Sequence, residues 1–156
     1  MKYLFAPLLL LGFALAAPGG TTFKQGVFFA TVGTDAKVQI GFKFGENLLF
    51  NRAGESILTL ESGFLKKPLE LKLEKGTPFK GSPNDYHSAL ETVSTNIRVP
   101  VGTKAGTHVV KLFSEVFLCD NLTKVCYIDR SEGSFEIRVG KGKDQPLLIE
   151  FSRPSR

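Results

Sequence analysis

Tryptophan is absent from this 156-residue chain, methionine occurs once, and there are only two cysteines and two histidines. Each scarcity excludes something. Two cysteines allow one intramolecular bridge, which rules out a disulfide-dense miniature scaffold. His87 and His108 stand in no paired motif, and the cysteine spacing is longer than that of a zinc knuckle. Both histidines read most simply as loop or surface side chains, and no metal is expected. A Gly-rich phosphate loop, an H-E-x-x-H pair and an EF-hand pattern are all missing. Neither a serine nor a cysteine sits in a nucleophile elbow. The formal charge is +5, but the basic residues are dispersed, with Lys66-Lys67 and Lys141-Gly142-Lys143 the densest points. A nucleic-acid binder needs a basic stripe interleaved with aromatics, so nucleic acid is not an expected partner.

After residue 20 no stretch resembles a membrane segment, and no spanning helix is expected there. Ahead of that point the chain reads as a secretory signal peptide over residues 1–16. Lys2 supplies the positive start, Leu8 to Leu11 and Phe13 to Leu15 the apolar core, and Ala14-Leu15-Ala16 the A-x-A pattern. Cleavage near Ala16 predicts a periplasmic or secreted protein, and the absence of a cysteine at that site argues against a lipid anchor. In such a compartment a cysteine pair is expected to be oxidised.

What remains is rich in phenylalanine and glycine (14 and 16 residues) and punctuated by turns. Residues 17–26 read as a flexible lead-in. Val27 to Val32 has strand character. Val38, Ile40, Phe42 and Phe44 alternate with polar residues, the period of a half-buried strand. Leu48 to Phe50, Ser56 to Glu61 and the alternating Leu69, Leu71 and Leu73 continue the pattern. Gly76 to His87 is the longest irregular stretch, with Phe79 and Tyr86 as aromatics that either pin the loop or serve a site. Ser94 to Val101 is a strand whose Pro100 indicates an edge position or a bulge. Phe135, Ile137 and Val139 mark a further strand. Residues 141–156 read as a C-terminal tail whose apolar run, Leu147 to Phe151, either adds an edge strand or stays mobile. The expected fold is all-β, an antiparallel immunoglobulin-like β-sandwich formed by residues 27–140.

The stretch His108 to Arg130 carries the chemistry. A long apolar run ends at Cys119, the segment Asp120 to Lys124 supplies turn residues, and Cys126 opens the second arm. With Leu122-Thr123 at the tip of a hairpin, Cys119 and Cys126 stand directly opposite each other. Opposed Cβ atoms lie about 4.5–5.5 Å apart and a disulfide prefers about 3.5–4.5 Å, so a bond between them is feasible. Val110, Leu112, Val116 and Leu118 share one face, interrupted only by Ser114, which leaves Cys119 on the mixed and more accessible face. The spacing alone is compatible with a static staple, with a redox-active pair, or with metal handling by the cysteines and a histidine. Asn121-Leu122-Thr123 also matches a glycosylation triplet, a pattern common by chance.

The segment Tyr86 to Val139 resembles the amino-terminal periplasmic domain of the thiol:disulfide interchange protein DsbD. Gly106 precedes a long strand ending at Cys119, Cys126-Tyr127 follows a short turn, and Phe135 to Val139 matches the closing strand. The match covers about a third of the chain. It implies an immunoglobulin-like fold, a redox-active Cys119–Cys126 pair with Cys126 as the attacking cysteine, and no cofactor. It also implies a cap loop that shields the pair with an aromatic, for which Tyr86 is the candidate and Phe79 the reserve. Tyr127 and Lys124 are supporting residues, Lys124 through a charge that favours a thiolate. Implied partners are a thioredoxin-like or membrane electron donor protein and an exported thiol protein as acceptor, with the chain a monomer. Two departures bear on the hairpin: Ile128-Asp129 stands where the family has Pro-Pro, and the turn is one residue longer. The alternative is a non-enzymatic exported β-sandwich that binds a protein partner and keeps the disulfide as a staple.

Overall fold

A computed structural model describes residues 20–153; the signal peptide read over 1–16 lies outside the described residues. Those residues form no helix. The strands are β1 (Thr22–Ala30), β2 (Asp35–Phe44), β3 (Leu48–Asn51), β4 (Ile57–Glu61), β5 (Leu69–Lys72) and β6 (Gly76–Pro78), then β7 (Tyr86–Leu90), β8 (Val93–Arg98), β9 (Gly106–Asp120), β10 (Cys126–Val139) and β11 (Gln145–Phe151). They build one mixed sheet ordered β6-β7-β3-β9-β10-β1-β11-β2-β8, with β4 pairing β9 and β5 pairing β4. The fold is all-β.

A purely antiparallel arrangement, expected from the run of short strands, is not what forms. β1 runs parallel to β10, and β11 runs parallel to β2. Geometry requires one of these. β1 and β2 are joined by a tight turn in which the Thr34 N–H bonds the Thr31 carbonyl, so they run in opposite directions. β11 lies between them, antiparallel to β1 and parallel to β2. Any strand inserted between two opposed strands must run parallel to one of them.

Both expected ends of the domain also differ. Residues 22–26, read as lead-in, belong to β1, and residues 145–151, read as tail, form β11 in the interior of the sheet. Leu147, Ile149 and Phe151 are each at most 1% exposed. Every second residue of the segment thus enters the core, which is why it is a strand.

Side chains from β1, β2, β3, β4, β8, β9, β10 and β11 meet in a single buried cluster, so the open sheet curls around one core. Phe28 and Phe135 pack edge to face with ring centroids 5.5 Å apart, a geometry worth about 0.5–1.5 kcal/mol beyond the area it buries. Along β9 the alternation places Val110, Leu112, Ser114, Val116 and Leu118 inward. Ser114, the polar interruption, is accommodated because its hydroxyl donates to the Ser131 carbonyl at 3.4 Å.

β9 and β10 pair without a break from Cys119–Cys126 to Gly106–Val139. Of a proline pair after Cys126-Tyr127, the second would remove a donor to β9; Asp129 keeps it, while the Ile128 N–H faces away from β9. Asp129 is buried, and its carboxylate accepts from the Thr21 hydroxyl at 2.9 Å and the Ser131 hydroxyl at 2.6 Å. Pro100 falls beyond the end of β8, at one terminus of the sheet.

Candidate functional site

The tip of the β9–β10 hairpin is set by Asp120. Its carboxylate accepts from the N–H groups of Leu122 (2.8 Å) and Thr123 (3.3 Å), and its carbonyl from the Lys124 N–H (2.8 Å). Lys124 adopts φ +60°, which turns the chain back into β10. The loop is therefore Asn121 to Lys124 rather than a two-residue tip, but the register is the one the tip implies. Arg153 donates to Asp120 at 3.0 Å, tying the chain beyond β11 to the hairpin. Burial raises the Asp120 pKa, but the two N–H groups and the guanidinium outweigh it, and the carboxyl lies below its ordinary value.

Beyond this loop Cys119 and Cys126 are paired in register and joined by a disulfide, with Cα atoms 4.0 Å apart. The Asp120 N–H donates to the Val125 carbonyl. That places the cysteines at a non-hydrogen-bonded position, where facing side chains are closest.

The accessible position expected for Cys119 is not observed. Cys119 is 3% exposed, while Cys126 is open to solvent. The strand neighbours account for the difference. β9 has β3 on its other side, with Leu49 directly opposite Cys119 on the same face. β10 meets β1 only over Glu136–Val139, so at Cys126 its outer flank has no paired strand.

A cavity of about 350 Å³ lies over the disulfide, lined among others by Leu49, Phe79, Tyr86, Lys124 and both cysteines. The expected irregular segment 76–87 begins in β6 and ends in β7, and its middle, residues 79–85, arches over the site. The Phe79 N–H bonds the Tyr86 carbonyl at 2.9 Å and closes the loop. Arg52 holds it from below, its guanidinium donating to the carbonyls of Pro83 (3.3 Å) and Asn84 (3.1 Å) and its backbone N–H to that of Asp85 (2.9 Å). Leu122 and Val125, 64% and 57% exposed, leave apolar surface at the tip of the hairpin.

Of the residues singled out in the sequence, the fold brings together Cys119, Cys126, Phe79, Tyr86 and Lys124. The Lys124 ammonium is engaged with the Asn121 side-chain oxygen at 2.8 Å. Tyr127 is turned to the opposite face, packed against the core, with a buried hydroxyl that has no hydrogen-bond partner. Burial, reinforced by the carboxylates of Asp129 and Asp120, pushes its phenol above the usual value. His87 lies on that same far face, stacked on Phe50 with its Nε2 3.2 Å from the Glu74 carbonyl. His108 stands toward the opposite end of β9, 2.9 Å from the Lys104 carbonyl.

Asn51 was not legible as a site residue. It ends β3, and its Nδ2 donates toward Cys119 Sγ at 3.2 Å and, more weakly, Cys126 Sγ at 3.9 Å. In the sequence it reads only as the first residue of a turn. No protein-family model and no curated protein matches the chain.

Proposed function

We propose that the chain is an exported thiol–disulfide exchange protein of immunoglobulin-like sandwich architecture. It passes electrons through the Cys119–Cys126 pair between a thioredoxin-like or membrane donor and exported thiol proteins. The observation that carries this reading is the asymmetry of the disulfide: one sulfur open to solvent under an aromatic-lined loop, the other buried against β3.

The loop that the bond closes is short. The two cysteines are separated by only 7 positions. Stabilisation by a cross-link grows with the loop it closes, from about 3 kcal/mol for 15 residues to nearly 5 for 100. This bond closes a shorter loop, in a hairpin already held along the whole β9–β10 ladder. The cross-link therefore gains less here than across a longer loop, and the ladder remains to hold the hairpin when the bond opens.

In the proposed reaction a partner thiolate attacks Cys126 Sγ. The Cys119–Cys126 bond breaks, its electron pair leaves on Cys119 Sγ, and a mixed disulfide links Cys126 to the partner. The partner's second thiolate then displaces Cys126, leaving a dithiol here and a disulfide there. Delivery of electrons to an acceptor disulfide is the reverse sequence, starting from the Cys126 thiolate. Phe79 and Tyr86 restrict access to the pair, and Leu122 and Val125 offer a partner apolar contact.

A reduced thioredoxin-like protein, mixed with the oxidised chain and quenched by thiol alkylation, tests this directly. Transfer of both reducing equivalents within minutes is expected. A bond that survives a tenfold excess of that partner for hours contradicts the reading.

A further inference from the structure

We infer that Asn51 is a catalytic residue of the exchange reaction: its side-chain N–H receives the charge that appears on Cys119 Sγ when the disulfide is opened at Cys126, and so directs the attack to Cys126. This rests on the exchange reading above and adds to it the group that distinguishes the two sulfurs.

The direction of the amide is fixed. Asn51 Oδ1 accepts from the Ala53 N–H at 2.8 Å, so the NH₂ end faces the sulfurs, and a flipped amide would lose that bond. The side chain is half-buried at the end of β3, opposite Tyr86 in the β3–β7 pairing. A donor held there keeps its aim without reorganising when charge appears, which is the condition for electrostatic stabilisation of a reacting atom.

The distances favour one sulfur, 3.2 Å to Cys119 against 3.9 Å to Cys126. Cys119 is also the buried one and has little water to solvate a thiolate. Without a donor, burial would make it a poor leaving group, because desolvation disfavours the charged form. A hydrogen bond to the thiolate opposes that and makes it leave faster. Lys124, whose charge is expected to favour a thiolate near Cys126, donates its ammonium to the Asn121 side-chain oxygen.

As Cys126 Sγ bonds to the partner's sulfur, the old S–S bond breaks and its electron pair settles on Cys119 Sγ. No proton is needed in that step, and Asn51 gives none up. In the reverse step the same contact holds Cys119 as a thiolate ready to expel the partner from Cys126.

The test uses Asn51→Ala and Asn51→Asp. Aspartate keeps an acceptor for the Ala53 N–H but replaces the donor with a negative charge, so it separates a turn-forming role from a thiolate-stabilising one. The pKa of Cys119 is read from thiolate absorbance in a Cys126→Ala background. The rate of disulfide reduction by dithiothreitol is measured with both cysteines present. Asn51→Ala is expected to raise the Cys119 pKa by about one unit, a tenfold loss of thiolate, and to slow reduction about tenfold. Asn51→Asp should do more of both, though its turn is intact. Folded variants whose Cys119 pKa stays within about 0.3 units of the parent, and whose rate stays within about twofold, overturn the inference, as does an Asn51→Asp protein that behaves like the parent. The exchange reading fails separately, if the parent protein does not trade its disulfide with a thioredoxin-like partner whatever the Asn51 variants do to the thiol.

Discussion

Cys119 and Cys126 face each other across a non-hydrogen-bonded rung of the β9–β10 ladder, yet the first is buried and the second exposed. Chemical equivalence ends there. Cys126 is open to solvent, whereas Cys119 is 3% exposed. Cys119→Ala is therefore expected to accumulate a mixed disulfide with a thioredoxin-like protein whose resolving cysteine has been removed. Cys126→Ala should not. Non-reducing electrophoresis distinguishes the two, and the opposite pattern would reverse the assignment of attacking and resolving cysteine.

Phe79 and Tyr86 line the cavity over the sulfurs, and Arg52 anchors the loop that carries Phe79. Tyr86→Ala and Phe79→Ala are expected to speed reduction of the disulfide by a small dithiol several-fold. Arg52→Ala should act the same way and also raise amide exchange over residues 79–85. The melting temperature should move little, since none of the three lies in the buried cluster. Unchanged reduction kinetics in all three would mean that the loop does not shield the pair.

The hairpin tip should respond to acid through Asp120. A carboxyl whose folded pKa is lowered contributes stability that is fully present above the unfolded value of about 3.9 and is lost as the pH falls through the folded one. Asp120→Ala should thus lower the melting temperature at neutral pH, and its deficit relative to the parent should shrink as the pH drops below about 4. An equal deficit at about pH 7 and about pH 2.5 would show that the charge, with Arg153 and the N–H groups of Leu122 and Thr123 around it, is not what matters.

Legibility in the sequence followed the range of the interaction. Alternation in Val38 and Ile40, or in Val110 through Leu118, is local, and those side chains are buried as expected. The cysteine register was also local, because Asp120 and its turn determine it within a few residues. The sheet order was not local. Nothing in residues 147–151 says that they fit between β1 and β2, so the segment read as a tail. The burial of Cys119 depends on Leu49, and the donor at its sulfur is Asn51, both distant in sequence. Asn51 follows Leu48-Leu49-Phe50 and precedes Arg52-Ala53-Gly54, where any turn-forming residue would have read alike.

The place of β11 in the sheet can be tested directly. Leu147 is 1% exposed in the interior of the sheet. Leu147→Ala is expected to cost about 2–5 kcal/mol in denaturant unfolding, the range for truncating a buried leucine. A loss below about 0.5 kcal/mol is what a mobile tail would give.

The central claim is that the Cys119–Cys126 bond is made to be opened. Its reduction potential, measured by equilibration with a glutathione or dithiol buffer followed by thiol trapping, tests that most directly. A value above about −250 mV, with the reduced protein still folded, is the predicted result and falls among exchange proteins. A value below about −300 mV, with loss of the fold on reduction, is that of a structural disulfide and would contradict the account.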